Sequence, residues 1–165
     1  MRLVFSEAMQ DDAVAIAAVR TAAAESLTAR FGKGHWSSAA TEMGVIRSMQ
    51  HAKLVVGREG ARVVAVARLA TKKPWAIDVT FFTNCARPLY LSDMTVAPDC
   101  QGRGFGRLCL EECVRVARAW PGGAVRLDAY DAPAGAGSFY AKCGFTERGR
   151  VTYRNTPLIY YELML

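Results

Sequence analysis

A chain of 165 residues with 52% hydrophobic composition can bury a two-layer or three-layer core, so residues 1–165 are expected to form a single domain. The N-terminus has no basic region followed by a long apolar run, and no stretch of about eighteen apolar residues lacks charge, so we expect neither a signal peptide nor a membrane span but a soluble, cytoplasmic protein. The net charge of +6 is spread along the chain, not massed in a tail or stripe, which argues against a nucleic-acid partner and leaves room for a polyanionic small ligand.

Arg2 to Ser6 is a short strand candidate, and Glu7-Ala-Met-Gln-Asp-Asp supplies acidic and capping residues for an alanine-rich helix over Asp12 to Glu25. Ala29 to Ser38, with Phe31-Gly-Lys-Gly-His-Trp36, reads as a loop before a second helix over Ala39 to Gln50. Lys53 to Arg58 and Ala61 to Ala70 are β-branched runs on either side of Glu59-Gly60, the pattern of an antiparallel hairpin. Ala70 to Arg87 has no regular period yet is too apolar for a linker, so part of it should wall a site or add an extended segment. Across Ala22 to Gln50 and Lys72 to Arg87, Trp36, Trp75, Phe81 and Phe82 offer an aromatic wall or, as such residues more often do, a share of the core.

Leu89 to Val96 is an apolar, partly β-branched strand that Pro98 stops, because proline has no N–H to donate. Gly102, Gly104 and Gly106 then allow a tight turn. A helix follows, with Phe105, Leu108, Cys109, Cys113, Val116, Ala117 and Trp120 on one face and Arg107, Glu111, Arg115 and Arg118 on the other. The unpaired N–H groups at its start point into the turn with the positive end of the helix dipole, and Arg103 and Arg107 add charge, so the turn suits a phosphate-bearing ligand. Without a ligand it would be only a glycine-rich loop. Neither Gly-Lys-Ser/Thr nor G-x-G-x-x-G is present, so the P-loop and the dinucleotide fingerprint are excluded.

Pro121-Gly-Gly turns the chain into a strand over Ala124 to Tyr130, and the small-residue loop Asp131 to Gly137 leads to a helix over Ser138 to Lys142 that Gly144 ends. Phe145 to Val151 and Leu158 to Leu165 form a last pair of strands, with Pro157 between them. The apolar final strand is either internal or a dimer edge, so a homodimer stays open. Five cysteines form no metal-type C-x-x-C pair and no metal site is expected; Cys109 and Cys113, one helical turn apart, read as small buried hydrophobes. The order of elements gives a mixed α/β (α+β) sheet.

At Gln101-Gly-Arg-Gly104-Phe-Gly106 the chain resembles the GNAT superfamily of acyl-CoA-dependent N-acyltransferases, whose signature is Gln/Arg-x-x-Gly-x-Gly/Ala after a strand. A second family element is matched by Phe139-Tyr140-Ala-Lys-Cys-Gly144-Phe145. The resemblance implies a mostly antiparallel central sheet flanked by helices and splayed at the cofactor strand, with the strand ending near Val96 parting from the strand near Leu127. It implies acetyl-CoA as cofactor. The amides of Gln101, Gly102, Arg103, Gly104, Phe105, Gly106 and Arg107 would then hold the pyrophosphate, and the backbone of Met94, Thr95 and Val96 would pair with the pantetheine, the Met94 N–H facing the thioester oxygen. The same resemblance makes Tyr140 the acid that protonates the leaving thiolate, although by composition it reads as a core aromatic.

An acceptor amine needs a base, because at an ordinary pKa of about 10 it is almost wholly protonated near neutrality. Asp93 is the candidate, with an even alternative that strand parity turns it toward an arginine. Glu25 and His35 are further candidates. Some family members carry a glutamate where this chain has Tyr90, and many carry an asparagine where it has Pro133. The expected activity is acetyl transfer from acetyl-CoA to a primary amine of a small-molecule acceptor by direct attack in a ternary complex. The alternative is a non-catalytic acyl-CoA-binding sensor.

Overall fold

A computed structural model describes residues 2–165. The chain forms two compact units, one of residues up to 69 together with 93–113, the other of 70–92 with 114–165. Its strands follow the order β1-β2-β3-β4-β5-β7-β6 in a seven-stranded, mostly antiparallel sheet.

In the first unit, β1 (Leu3–Glu7) pairs antiparallel with β2 (Lys53–Glu59), which pairs antiparallel with β3 (Arg62–Ala70). Gly60 at φ 63° makes the tight turn of this hairpin. Helix α1 (Ala13–Phe31) runs six residues past the expected Glu25. Nothing between Ser26 and Phe31 breaks a helix, and the first residue that does is Gly32, at φ 82°, whose N–H still caps the Thr28 carbonyl at 2.9 Å. Helix α2 (Glu42–Met49) starts later than Ala39 because Thr41 is its cap, the Thr41 Oγ1 accepting from the Gly44 N–H at 3.1 Å. Ala13, Ile16, Val45, Leu54, Val56 and Val66 form the core beneath the two helices.

Helix α3 (Phe105–Ala119) begins in the first unit and ends in the second. Its buried stripe is Phe105, Cys109, Cys113 and Ala117 with Leu110, while Leu108 is 43% exposed. The stripe repeats every four residues, and Leu110, not Leu108, completes it. The Cys113 thiol is pushed well above its ordinary pKa by its hydrogen bond to Cys109 and then by burial.

In the second unit, residues 88–90 at the start of β4 (Pro88–Val96), a strand whose end belongs to the first unit, pair in parallel with β5 (Ala124–Tyr130), β5 pairs antiparallel with β7 (Thr156–Met164), and β7 pairs antiparallel with β6 (Thr146–Tyr153). The final strand is therefore internal. Pro157 lies inside β7, opposite Thr152, not between the strands. The turn is Arg154-Asn155, both at positive φ (47° and 65°), the two-residue form that favours asparagine. Helix α4 (Gly137–Lys142) ends at Gly144, whose N–H donates to the Ala141 carbonyl at 3.1 Å.

Residues 71–87 cross the second unit without a strand. Ile77 and Phe82 pack with Tyr90 and Tyr160, the Tyr160 hydroxyl donates to the Ala76 carbonyl, and the Asp78 N–H donates to the Tyr160 oxygen at 3.1 Å. Phe82 is thus core, whereas Trp75 is 84% exposed beside a groove of about 540 Å³ lined also by Lys73, Ile77, Val151, Tyr153 and Tyr160.

Candidate functional site

The parallel ladder runs from Pro88↔Ala124 to Tyr90↔Arg126 and ends there, although β5 continues to Tyr130 and β4 to Val96. The strands part near the position the resemblance implies. Three residues on, Asp93 adopts φ 52°, a left-handed conformation that aspartate tolerates better than most residues at a cost of about 1–3 kcal/mol. Strand alternation fails at this point, which is why parity could not place the side chain. Asp93 is 55% exposed on its side chain, with Oδ2 3.9 Å from Arg20 Nη2. Met94, Thr95 and Val96 follow, half-buried, and the Thr95 hydroxyl donates to the Asp93 carbonyl at 3.3 Å.

Beyond β4 the chain is anchored before it turns. The Ala97 N–H donates to the Val64 carbonyl at 2.8 Å, Pro98–Cys100 makes a single 3-10 turn, and the Gln101 side-chain amide donates back to the Val96 carbonyl at 3.2 Å. Phe105 closes the base against Val64, Ala97 and Cys100. Gly102 and Gly104 stand at φ 76° and 82°, and a Cβ on either would meet nothing within 4 Å, so open space lies over the turn. The Leu108 N–H donates to the Gly104 carbonyl at 3.2 Å as α3 begins. The N–H groups of Phe105, Gly106 and Arg107, ahead of it, fall outside the helix ladder.

Two ion pairs from the β2–β3 hairpin grip this turn, and the sequence reading missed both. Arg62 donates to both Asp99 oxygens at 2.8 Å, and Arg103 donates to Glu59 at 2.6 and 3.2 Å while stacking 4.4 Å over the Phe105 ring. The hydrogen bond from Arg62 holds the Asp99 carboxyl below its ordinary pKa, and the one from Arg103 does the same for Glu59. Arg103 is therefore engaged with the hairpin. Arg107 is 67% exposed and donates to Glu111 at 3.1 Å, one turn along α3. Much of the positive character over the turn then belongs to backbone amides and the helix dipole. No carboxylate side chain lies between Gln101 and Arg107, so the donor set fits a diphosphate.

Tyr140, in the second unit, is 8% exposed on α4 and packs against Phe139, Phe145 and Tyr161, with ring centroids 5.2, 5.8 and 6.1 Å away. It is a buried aromatic with a phenol, so neither sequence reading is displaced. Tyr90 has other work. Its oxygen accepts from Arg126 Nη1 at 3.3 Å, part of a buried network in which Arg126 Nε donates to Glu162 at 2.9 Å and Nη2 to the Thr83 carbonyl at 2.5 Å. The loop before α4 is tied by the Asp131 N–H, which donates to the Pro157 carbonyl at 2.9 Å, and by Arg150 reaching the Asp131 carboxylate at 3.4 Å.

No curated protein matches the sequence. Solved structures share the fold at low identity. An N-acetyltransferase from Staphylococcus aureus Mu50 is 18% identical with a TM-score of 0.73, covering 99% of each chain. A ribosomal-protein-alanine N-acetyltransferase from Brucella melitensis is 17% identical with a TM-score of 0.76, covering 98% of this chain and 99% of its own. The yncA structure from Salmonella typhimurium, solved with its cofactor acetyl-CoA, is 18% identical with a TM-score of 0.71, covering 99% of this chain and 94% of its own. The sequence model of the acetyltransferase (GNAT) family, which uses acetyl-CoA, matches residues 18–145. With well over half its length so matched, and the strand, glycine turn and helix in their expected order, the chain belongs to the acetyltransferase (GNAT) family.

Proposed function

We propose that this chain transfers an acetyl group from acetyl-CoA to the amine of a small molecule by direct attack while both are bound, with residues 1–165 acting as one catalytic domain. The observation that carries this is the turn over Gln101 to Arg107, where two left-handed glycines leave open space beside helix-start amides. Family membership supplies the donor.

Acetyl-CoA, when bound, brings a thioester open to attack by an amine. The amides of Gln101 to Arg107 would hold its diphosphate, and the backbone of Met94, Thr95 and Val96 would pair with its pantetheine arm. The Met94 N–H is assigned to the thioester oxygen, a kind of donor worth about 3 kcal/mol in other enzymes. Tyr140 carries a phenol and is assigned to deliver a proton to the departing sulfur. Asp93 is assigned to receive the amine's proton, directly or through water. Its partial exposure gives it access to both. Tyr90, 4% exposed and hydrogen-bonded to Arg126, is not assigned that task.

A non-catalytic acyl-CoA sensor is the second reading, favoured by the absence of a carboxylate at position 90. Calorimetric titration with acetyl-CoA and thiol release with a panel of amines separate the two. Binding with steady release supports transfer, and binding without release supports the sensor. No binding at hundreds of micromolar removes both.

A further inference from the structure

Helix α1 carries one charged residue on its buried face. Ala13, Ile16, Ala17 and Ala24 are buried, and Arg20 stands four residues after Ile16 and four before Ala24, so its side chain leaves from the same stripe. That side chain is 13% exposed, and its Nε and Nη2 atoms are enclosed without a hydrogen-bond partner. Asp93, its carboxylate neighbour, stops 3.9 Å away, beyond hydrogen-bond reach. Burial pushes the Arg20 pKa down most, Asp93 opposes the fall, and the nearby charge of Arg68 adds to it. Arg68 is itself oriented by donating from Nε to Ser48 Oγ at 2.8 Å.

A guanidinium does not shed its proton in a protein, so enclosing two of its nitrogens without acceptors carries a cost that a bound oxyanion would relieve. Arg20 thus has a second guanidinium, Arg68, nearby as well as the carboxylate of Asp93. The Asp93 side chain is more than half exposed, so a ligand can reach its carboxylate. The site thus pairs an outward carboxylate with an inward cation, held apart. An α-amino acid bears the complementary pair, an ammonium and a carboxylate on one carbon.

We propose that the acceptor is a free α-amino acid, its carboxylate docking on Arg20 beside Arg68 while its amino group lies against Asp93. This rests on the acetyl-transfer reading and narrows its substrate. The amine nitrogen forms the new C–N bond as the C–S bond breaks, its electron pair leaving with sulfur. Of the two protons the ammonium gives up, one leaves through Asp93 to water, and the other, lost as the C–N bond forms, restores the phenol of Tyr140, which has given its own proton to the sulfur.

The test uses the full chain with acetyl-CoA and follows thiol release for the standard L-amino acids, each beside its carboxamide and its decarboxylated amine. At least one amino acid is expected to exceed its carboxamide in kcat/KM by about 10- to 100-fold, the range for losing hydrogen bonds to a charged group. Arg20→Gln should bring the two within about threefold, mainly by raising KM for the acid, and Arg68→Gln should narrow the gap less. The wild-type comparison stands even if either variant fails to fold. Equal turnover of acid and carboxamide, or a preference for decarboxylated amines, would overturn the substrate while leaving acetyl transfer intact. No acetyl-CoA binding and no thiol release with any amine would instead remove the reading beneath it.

Discussion

Gly104 holds a backbone angle that other residues reach only with strain, yet a Cβ there would strike nothing. The two effects can be separated. Gly104→Ala should lose about 1–2 kcal/mol of stability to its left-handed backbone, read as a lowered Tm. Gly104→Glu adds a carboxylate to the space assigned to the diphosphate and should abolish acetyl-CoA binding in calorimetry; unchanged affinity would put the diphosphate elsewhere. Tyr140→Phe removes a hydroxyl and leaves the ring among Phe139, Phe145 and Tyr161. Turnover should fall by about 100-fold or more with nearly unchanged acetyl-CoA affinity, as for loss of a general acid. An unaltered rate would make Tyr140 a packing residue. At this scale the sequence revealed residue types better than their partners. Arg103 looked like a phosphate ligand because it sits in the turn, but its partner Glu59 is remote in the chain and no local pattern announces it.

Among the elements, β5 and β7 enclose the Arg126–Glu162 pair, with side chains only 4% and 2% exposed. Burial alone would raise the Glu162 pKa, but hydrogen bonds from Thr83 and Arg126 outweigh it and the net shift is downward. A carboxyl with a depressed folded pKa contributes stability above its unfolded value, near 4.5, and loses that contribution as pH falls through the folded pKa. Glu162→Gln would leave Arg126 enclosed without its counter-charge and should cost about 3–5 kcal/mol near neutral pH. Denaturant melts should show the gap between wild type and variant closing below pH 4.5. A pH-independent gap would assign the effect to packing. Regular elements were legible because their spacing is local: the β2–β3 hairpin, α3 and β5 lie where their patterns put them. Residues 71–87 were not, since their order comes from Tyr160 and Glu162, about eighty positions away in sequence. The departure of β4 from alternation at Asp93 likewise leaves no mark in the composition of the strand.

For the molecule as a whole, the net charge of +6 favours approach of a polyanion from a distance. Raising ionic strength from 0.1 to 1 M shortens the screening length from about 10 Å to about 3 Å, and acetyl-CoA affinity should fall by a few-fold over that range. The fall should be gentle, because Arg103 and Arg107 are engaged by Glu59 and Glu111 and much of the grip is assigned to uncharged amides. A fall of several orders of magnitude would mean that free cations do the holding. The order of strands and helices and the glycine turn were readable from the chain alone. The outward-facing Asp93 beside a largely buried Arg20 was not, the strand alternation failing at Asp93. The paired thiols of α3 carry a practical corollary. Cys109 and Cys113 are fully enclosed, and the thiol of Cys113 resists ionisation, so alkylating reagents and disulfide dyes should spare both. Labelling should fall on Cys85 and Cys143, and a chromogenic reagent for released coenzyme A can be used without attacking the interior.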